Sequence, residues 1–302
     1  MRGRVGKAAR RTGAILALLL AACAGGCSKS ERPGGGDAAA PAPQGGEDTL
    51  ARIKREGVLK WGADPSGGAP FVFFDPKDPN VERVIGFEMD IMDKFAAHLG
   101  VRHEMVRAQW DALPEAMKAR RTDLVMNGYE INEERKKRYA FSKPYYVYEQ
   151  MLVVRAVDKD RYKSLDDLKG KKMGTLSGAE ANNVLKRAGW TEDQITAYED
   201  SSMPYKDLEL GRTEAVLQEQ MIAEYYAGPN PKLCLVPKTF GPGRYGVLLR
   251  QEDQALLAEV DRILDLMKQN GELAAIYKRW KIWNERQKEV GVLEGPAPAA
   301  AK

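Results

Sequence analysis

Hydrophobic residues between positions 49 and 286 recur in two ways, as amphipathic stretches with a period of about 3.6 residues and as short continuous runs. After Gly86, Ile91 and Phe95 share one face of a predicted helix. Gly100 ends this helix, because glycine readily adopts the left-handed backbone that follows a helix C-terminus. The alternation of such helices with apolar runs predicts an α/β fold.

The two patterns place the elements along the chain. Strands are predicted at the apolar runs 58–61, 124–126, 151–154, 172–176, 214–217, 232–236 and 245–249. Helices are predicted before Gly57, between Gly86 and Gly100, after Trp110, over 179–188, and over the two closing segments 256–267 and 273–280.

Residues 124–135 combine a strand, a polar turn and the start of a helix. The strand ends at Met126, Gly128 lies in the turn, and Arg135 falls in the first turn of the following helix. Such a turn directs free N–H groups and a guanidinium toward one point, and this arrangement suits a carboxylate.

Three motifs occur in an order that is typical of one family. They are Gly86-Phe87-Glu88-Met89-Asp90, the turn that ends at Arg135, and Phe141-Ser142-Lys143-Pro144-Tyr145. The set resembles the amino-acid-type solute-binding proteins of ABC importers, often called family 3. The pattern of that family is Gly-Phe-Asp/Glu-x-Asp, Gly-x-Thr-x-Thr-x-x-Arg and Phe-Ser-x-Pro-Tyr. The resemblance covers roughly residues 50–283.

The resemblance implies an α/β, two-lobed fold of the type II periplasmic-binding-protein-like kind, in which each lobe is a β-sheet flanked by helices. Residues 49–146 and 241–286 would form lobe 1, and residues 147–240 would form lobe 2. Two strands near 146–148 and 238–243 would be the hinge, and hinge closure around ligands is known for periplasmic binding proteins.

Both ends of the chain predict segments outside the lobes. Residues 1–22 have the basic start, short apolar run and small residues of a lipoprotein signal peptide, and the run is shorter than the about 20 residues that span a bilayer. The four residues that end at Cys23 resemble a lipobox. Cys27 is the alternative acylation site, and a plain secretory signal is a further alternative. Residues 23–48 are predicted to be a flexible tether and residues 287–302 a disordered tail.

The charge of the chain does not point to nucleic acid. The formal net charge is +4, and the basic residues ahead of the first apolar run account for it: Arg2, Arg4, Lys7, Arg10 and Arg11. A chain without this segment is close to neutral, so no nucleic-acid partner is predicted. Two histidines do not make a His-rich metal site, and the phosphate-loop and nucleophile-elbow motifs do not occur, so no metal or cofactor is predicted either.

In lobe 1 the resemblance implies three ligand contacts. Arg135 matches the arginine that binds the ligand α-carboxylate by charge-assisted hydrogen bonds, each worth roughly 1.5–3 kcal/mol. The alternative is a surface ion pair of Arg135 with Glu133 or Glu134. Trp110 matches an aromatic residue that packs on the ligand, or else it is a core residue at a helix start. Gly128 completes the lobe 1 set.

In lobe 2 the resemblance implies an acid and a helix start. Glu219 matches the acid that accepts the ligand ammonium, with Glu in place of the usual Asp, and the alternative is a solvated acid at the start of a helix. Ser177, Gly178 and Ala179 form a strand-to-helix turn whose N–H groups would close on the carboxylate, and the alternative is an ordinary turn.

Two positions depart from the family pattern. Glu130 stands where the family has a Ser or Thr that binds the ligand carboxylate. An ionised Glu130 about 4 Å from that carboxylate would be repelled by about 4 kcal/mol at an effective dielectric of about 20. Either Glu130 turns away and offers only its backbone, or the ligand carries a positive group there. The segment from Asp64, a further candidate site residue, to Phe71 lacks the second stacking ring of the family.

These expectations combine into one functional hypothesis. The chain is predicted to be the lipid-anchored, monomeric solute-binding component of an ABC importer, located on the periplasmic side of a bacterial membrane. It would capture a small amino-acid-like solute, zwitterionic or cationic, by hinge closure and pass it to an ABC permease in the inner membrane, without catalysis. The alternatives are an enzyme on the same fold, similar to the cyclohexadienyl or arogenate dehydratases, and a sensor module without a permease.

Overall fold

The computed structural model describes residues 48–66, 68–78, 80 and 82–295. The predicted signal peptide, residues 1–22, lies outside the described residues. So do residues 23–47 of the predicted tether 23–48, which include Cys23 and Cys27. Within the described ranges, no helix combines the length and the apolar character needed to cross a bilayer.

Two five-stranded sheets and one short strand pair form the framework. The strands are β1 (Val58–Ala63), β2 (Phe73–Phe74), β3 (Val84–Ile85), β4 (Arg102–Arg107), β5 (Leu124–Val125), β6 (Ala140–Phe141), β7 (Tyr146–Arg155), β8 (Met173–Leu176), β9 (Ile195–Tyr198), β10 (Ala215–Glu219), β11 (Leu233–Tyr245) and β12 (Leu248–Leu249). Sheet 1 has the order β4-β1-β5-β12-β6, sheet 2 has the order β11-β7-β10-β8-β9, and β2 pairs with β3. The pairs β1–β4, β1–β5, β8–β9 and β8–β10 are parallel, whereas β7, β11 and β12 pair antiparallel with their neighbours.

Helices cover the sheets. The α-helices are α1 (Thr49–Glu56), α2 (Phe87–Leu99), α3 (Leu113–Lys118), α4 (Glu133–Lys136), α5 (Glu180–Arg187), α6 (Met203–Glu209), α7 (Gln220–Ala227), α8 (Gln254–Gln269) and α9 (Glu272–Arg279). Short 3-10 helices lie at Trp110–Ala112, Ala156–Asp158, Asp166–Leu168, Glu192–Gln194 and Glu285–Val290.

The strong local signals in the sequence predicted the first elements correctly. Asp48 caps α1 by accepting a hydrogen bond from the Ala51 N–H, and Gly57 ends α1 in the left-handed conformation. Gly100 ends α2 in the same way. Weaker patterns were missed: β4 and α6 were not predicted, and the expected strand 232–236 is the start of the much longer β11.

Lobe 1 is built on sheet 1 and lobe 2 on sheet 2. One large apolar cluster fills lobe 1 and continues onto one face of sheet 2, and a second cluster covers the other face of sheet 2. In lobe 1, Ile53 of α1, Trp61 of β1 and Phe95 of α2 are buried against sheet 1, and α8 and α9 pack on the same helices. In lobe 2, Leu185 of α5 and Leu217 of β10 belong to the second cluster. The core patterns along α1, α2 and β1 are the apolar faces that the sequence predicted.

The ends of parallel strands meet at one edge of each sheet, as they do wherever parallel strands share a sheet. In lobe 1, Asp64 follows β1 and Asn127 follows β5. In lobe 2, Leu176 ends β8 and Glu219 ends β10. Residues from both edges line one cavity, so the lobes face each other across a cleft.

The chain passes from sheet 1 to sheet 2 at the start of β7 and returns at the end of β11. Tyr146 pairs with Tyr245 there, and Tyr148 pairs with Gly243. The rings of Tyr148 and Tyr245 stack at 4.5 Å. The two passages lie where the sequence analysis expected a hinge.

The disordered tail was predicted to begin at residue 287, but the chain is still ordered there. Residues 285–290 form a 3-10 helix, and the Gln287 side chain accepts from the Val147 N–H and donates to the Val147 carbonyl, both at 2.9 Å. Val290 and Val292 are buried beside it. Two valines in a polar segment are a weak sequence signal, and the bond that orders the segment spans 140 positions.

Candidate ligand-binding site

A small cavity lies between the facing edges of the two sheets. Its volume is about 30 Å³. One buried water needs roughly 10–15 Å³, so a cavity of this volume has room for two or three waters. Lobe 1 contributes Phe71, Trp110, Asn127, Gly128 and Glu130. Lobe 2 contributes Leu176, Ala179, Glu219 and Ile222, and Tyr245 lies at the end of β11.

Asp64 supports the site from behind. Its Oδ2 accepts from the Trp110 N–H at 2.9 Å, its Oδ1 accepts from the Ser66 N–H at 2.9 Å, and its own N–H donates to Asn127 Oδ1 at 2.8 Å. Asp64 is buried and is not among the residues that line the cavity. These hydrogen bonds link the end of β1 to the start of the 3-10 helix that begins at Trp110. Asp64 therefore orients Trp110.

Trp110 forms one wall of the cavity. The indole stacks on Tyr129 with ring centroids 4.6 Å apart, and its Nε1–H donates to the Asn127 carbonyl at 2.8 Å. The Arg135 guanidinium lies 5.2 Å from the indole centre. Across the cleft, a Cβ built on Gly178 would lie 3.3 Å from Cζ3 of this indole. Trp110 therefore closes the cavity against lobe 2 and is half-buried, not enclosed in the core.

Gly128 has a structural role that the sequence did not predict. Its φ of 63° is in the left-handed region, and a Cβ would lie 2.8 Å from the Phe71 ring. Its N–H donates to Glu88 Oε1 at 2.8 Å. Gly128 therefore lines the cavity, as expected, but its N–H is turned away from any ligand. Glu88 is fully buried, and burial raises the pKa of its carboxyl to about 7.

Arg135 lies in the cleft, and its partner is Glu130. Asn132 caps α4 by accepting from the Arg135 N–H at 2.9 Å, which fixes the backbone of this residue. Nη1 of Arg135 donates to Glu130 Oε2 and, at 3.1 Å, to the Glu130 carbonyl. The side chain of Arg135 is 17% exposed and that of Glu130 is 2% exposed. The suggested surface pairs with Glu133 or Glu134 do not form: these acids bond Lys136 and Lys137 instead.

The Glu130 carboxylate reaches across to lobe 2. Its Oε1 accepts from the Glu180 N–H at 2.9 Å, and Arg135 Nη2 donates to the Gly178 carbonyl at 3.1 Å. The N–H that enters the cleft from lobe 2 is therefore that of Glu180, one residue beyond the predicted turn. The N–H of Ser177 donates to the Tyr198 carbonyl. Glu130 has not turned away: its side chain makes the contacts that were expected of a ligand.

Glu219 is the buried acid of lobe 2. It precedes α7, so it lies where the sequence predicted a helix start, but it is 4% exposed and not solvated. Its Oε2 has no hydrogen-bond partner within the described part of the chain. Burial, and then the nearby charge of Glu130, raise the pKa of the Glu219 carboxyl to about 8. Gln150 lies opposite Glu219 in the β7–β10 pairing, and its side-chain amide also lacks a partner among the described residues.

Two aromatic residues belong to the site although the sequence analysis did not select them. Phe71 both lines the cavity and packs edge-on against Tyr245, with ring centroids 5.5 Å apart. Tyr245 is fully buried and forms an isolated β-bridge with Glu130. The only signal for Tyr245 was its place at the predicted return to lobe 1. The described residues contain no group of three or more His, Cys, Asp or Glu side chains placed to hold a metal ion.

The chain matches one protein family over most of its length. The family is described as bacterial extracellular solute-binding proteins, family 3, and the match covers residues 59–282. It confirms the resemblance that the three motifs indicated.

Similar proteins include binding proteins for several amino acids. The L-cystine-binding protein TcyJ of Escherichia coli (strain K12) is 31% identical over 235 residues, which are 78% of this chain and 86% of that protein. The lysine/arginine/ornithine-binding periplasmic protein of Escherichia coli (strain K12) is 29% identical over 232 residues, 72% of this chain and 85% of that protein.

Solved structures share the fold. The arginine-, lysine-, histidine-binding protein ArtJ from Geobacillus stearothermophilus aligns with a TM-score of 0.69 at 26% identity, over 77% of this chain and 98% of that chain. The ancestral amino acid-binding protein AncCDT-1, described as a precursor of cyclohexadienyl dehydratase, aligns with a TM-score of 0.70 at 29% identity, over 77% of this chain and 99% of that chain. The predicted two-lobed, type II periplasmic-binding-protein-like fold is confirmed.

Proposed function

We propose that this chain, which belongs to the bacterial extracellular solute-binding proteins of family 3, captures a small amino-acid-like solute, zwitterionic or cationic, and delivers it to an ABC permease. One observation carries the proposal. Glu219 lines the cavity between the lobes with a buried carboxyl oxygen that has no partner among the described residues. A buried acceptor without a partner costs roughly 1–3 kcal/mol, and a ligand that donates to it removes this cost.

The walls of the cavity support a ligand with an apolar body and a positive end. Phe71, Trp110 and Tyr245 present aromatic rings, and Ile222 and Leu176 present aliphatic groups. Aromatic faces attract cations by about 0.5–2 kcal/mol, more when water is excluded. The names of the relatives agree with this chemistry, since several refer to lysine, arginine or histidine.

Capture requires the lobes to move. The closed cavity of about 30 Å³ is too small for an amino acid, and the lobes are joined across it by the bonds of Glu130 to the Glu180 N–H and of Arg135 to the Gly178 carbonyl. Opening at β7 and β11 would admit the solute, and closure around it would produce the form that the permease recognises.

We place the protein on the periplasmic side of the membrane as a monomer anchored by a lipid at Cys23, with Cys27 as the alternative. The test is mass spectrometry of the N-terminal peptide from membranes of cells that express the full chain. A diacylglyceryl group on Cys23 that is lost in Cys23→Ser supports this anchor. An unmodified N-terminus downstream of both cysteines overturns it.

The binding proposal is tested by thermal denaturation with a panel of amino acids, polyamines and small carboxylates. A ligand at 100 times its Kd adds about 2.7 kcal/mol of stability, which is a shift of several degrees. Small-angle scattering with the best ligand separates specific capture from surface binding, because the radius of gyration changes only when the lobes move. A panel without any stabilising compound contradicts the proposal.

A second candidate function is dehydratase chemistry at the same site. Burial raises the pKa of Glu219 to about 8, so this carboxyl keeps its proton near neutral pH and could act as a general acid. Incubation with prephenate and with arogenate is the test. Formation of the aromatic product, lost in Glu219→Gln, would replace the transport proposal.

A further inference from the structure

The Arg135 guanidinium already has protein partners on both of its terminal nitrogens. Nη1 donates to the carboxylate and the carbonyl of Glu130, and Nη2 donates to the Gly178 carbonyl. Its Cζ lies 5.2 Å from the centre of the Trp110 ring. Both hydrogens of Nη1 are used in these bonds, so a ligand carboxylate can bind Nη1 only by displacing Glu130.

The helix start in lobe 2 is occupied by the same side chain. The Glu180 N–H donates to Glu130 Oε1 at 2.9 Å. This N–H is at the positive end of the eight-residue helix α5, where a carboxylate is stabilised by the helix dipole. The carboxylate of Glu130 thus joins a guanidinium in lobe 1 to a helix N-terminus in lobe 2. These are the two partners that would otherwise hold a carboxylate of the ligand.

On the other side of the site, three buried side chains have polar atoms without a partner among the described residues, and each has an oxygen that can accept a hydrogen bond. Glu219 Oε2, the Tyr245 hydroxyl and the Gln150 amide are buried and have no partner in the described ranges. An ammonium group offers three donors and no acceptor, so it fits the three oxygens but not Nε2 of Gln150, which is itself a donor. Since Glu130 neutralises Arg135, an ionised Glu219 would leave the site with one negative charge for a cation to balance.

We infer that Glu130 is a built-in replacement for the carboxylate of the ligand, and that the solute is a small organic amine without a carboxylate, bound through its ammonium by Glu219, Tyr245 and Gln150. The inference rests on the proposed function and narrows the class of its solute. An amino acid whose carboxylate binds Nη1 of Arg135 or the Glu180 N–H would have to displace Glu130, whereas the amine that lacks only the carboxylate leaves this ion pair in place.

The test uses compounds that differ by one carboxylate. Lysine is compared with cadaverine, ornithine with putrescine, arginine with agmatine and histidine with histamine, each by isothermal titration calorimetry on the purified protein. We expect at least one amine to bind wild-type protein at least tenfold more tightly than its parent amino acid. In Glu130→Ser the Arg135 guanidinium and the Glu180 N–H become free, so the amino acid should gain at least tenfold and the preference should reverse.

Glu133→Ser is the matched control. It makes the same substitution and the same charge change three residues away, but the Glu133 side chain is 85% exposed and pairs with Lys136 outside the cavity. The preference for the amine should persist in this variant. Circular dichroism of each variant establishes that it is folded before binding is compared.

Three results would overturn the inference. If wild-type protein binds an amino acid at least as tightly as its amine and Glu130→Ser leaves the order unchanged, the inference fails while the binding proposal stands. If Glu133→Ser reverses the order as Glu130→Ser does, the effect is one of net charge and the replacement role is wrong. If neither wild-type protein nor Glu130→Ser binds any compound of the set, the inference and the proposed function fail together.

Discussion

Glu88 and Glu219 are both buried carboxyl groups near the cleft, and burial raises the pKa of both. Glu88 is enclosed by lobe 1: its Oε1 accepts from the Tyr145 hydroxyl at 2.5 Å and from the Gly128 N–H at 2.8 Å. Glu219 instead borders a cavity that the two lobes share. Burial and a raised pKa are therefore insufficient to identify a ligand site. Glu88 Oε2 and Glu219 Oε2 both lack a partner among the described residues, so the distinguishing feature of Glu219 is that it lines the cavity between the lobes.

Glu130 extends the comparison, because it borders the same cavity but has a full set of partners. Removing Arg135 tests how much these partners contribute. Arg135→Ala leaves the buried Glu130 carboxylate without its counter-ion, which should destabilise the protein by on the order of 3 kcal/mol. Urea denaturation at pH 7 measures the loss. The double variant Arg135→Ala with Glu130→Ser should recover most of it, and equal destabilisation in both variants would show that the ion pair is not the cause.

The stability of the wild-type protein should depend on pH through Glu88. The pKa of about 7 in the folded protein is above the ordinary glutamate value of 4.5, so the folded protein holds the proton more tightly. This stabilisation is fully present below pH 4.5 and is lost as the pH rises through 7. In the wild-type protein the free energy of unfolding should be higher at pH 5 than at pH 8, and Glu88→Gln should reduce this difference by on the order of 2 kcal/mol. Denaturation curves at both pH values decide this, and an unchanged difference would contradict it.

Ligand affinity should depend on pH through Glu219. A bound cation favours the ionised carboxylate, so binding releases a proton, and affinity should rise up to tenfold per pH unit from pH 6 until about pH 8. Of the groups that face Glu219, Tyr148, Tyr205 and Tyr245 keep their protons in this range because burial raises the pKa of each.

The remaining charged neighbour of Glu219 is the ion pair of Glu130 with Arg135. Calorimetry in two buffers of different ionisation enthalpy counts the protons released on binding. Glu219→Gln should bind the best cation at least tenfold more weakly, about 1.4 kcal/mol, with no dependence on pH over this range. A pH dependence that survives this substitution would assign the titration to another group.

The smallest expected effect concerns the cap that orients Arg135. Asn132→Ala removes the side-chain acceptor of the Arg135 N–H and should cost about 1 kcal/mol of stability. Asn132→Asp keeps an acceptor and should retain nearly all of it. Thermal denaturation compares the two, and an equal loss in both would show that the cap bond is not what matters.

The helix starts and stops could be predicted from the sequence because their causes are local. Asp48, Gly57 and Gly100 act within one helical turn of the elements they delimit. The family motifs likewise indicated the two-lobed fold. Trp110 and Glu219, for which the resemblance implied ligand contacts, both line the cavity.

Only the tertiary structure decided which way Glu130 points. Its carboxylate bonds the N–H of Glu180, fifty positions away, and no periodic pattern carries that information. The same holds for Gln287, whose bond to Val147 orders a segment that was predicted to be disordered. Local propensity and apolar periodicity determine elements over a few turns. A polar side chain of the cleft finds its partner only after the two lobes have folded and brought distant backbone groups together.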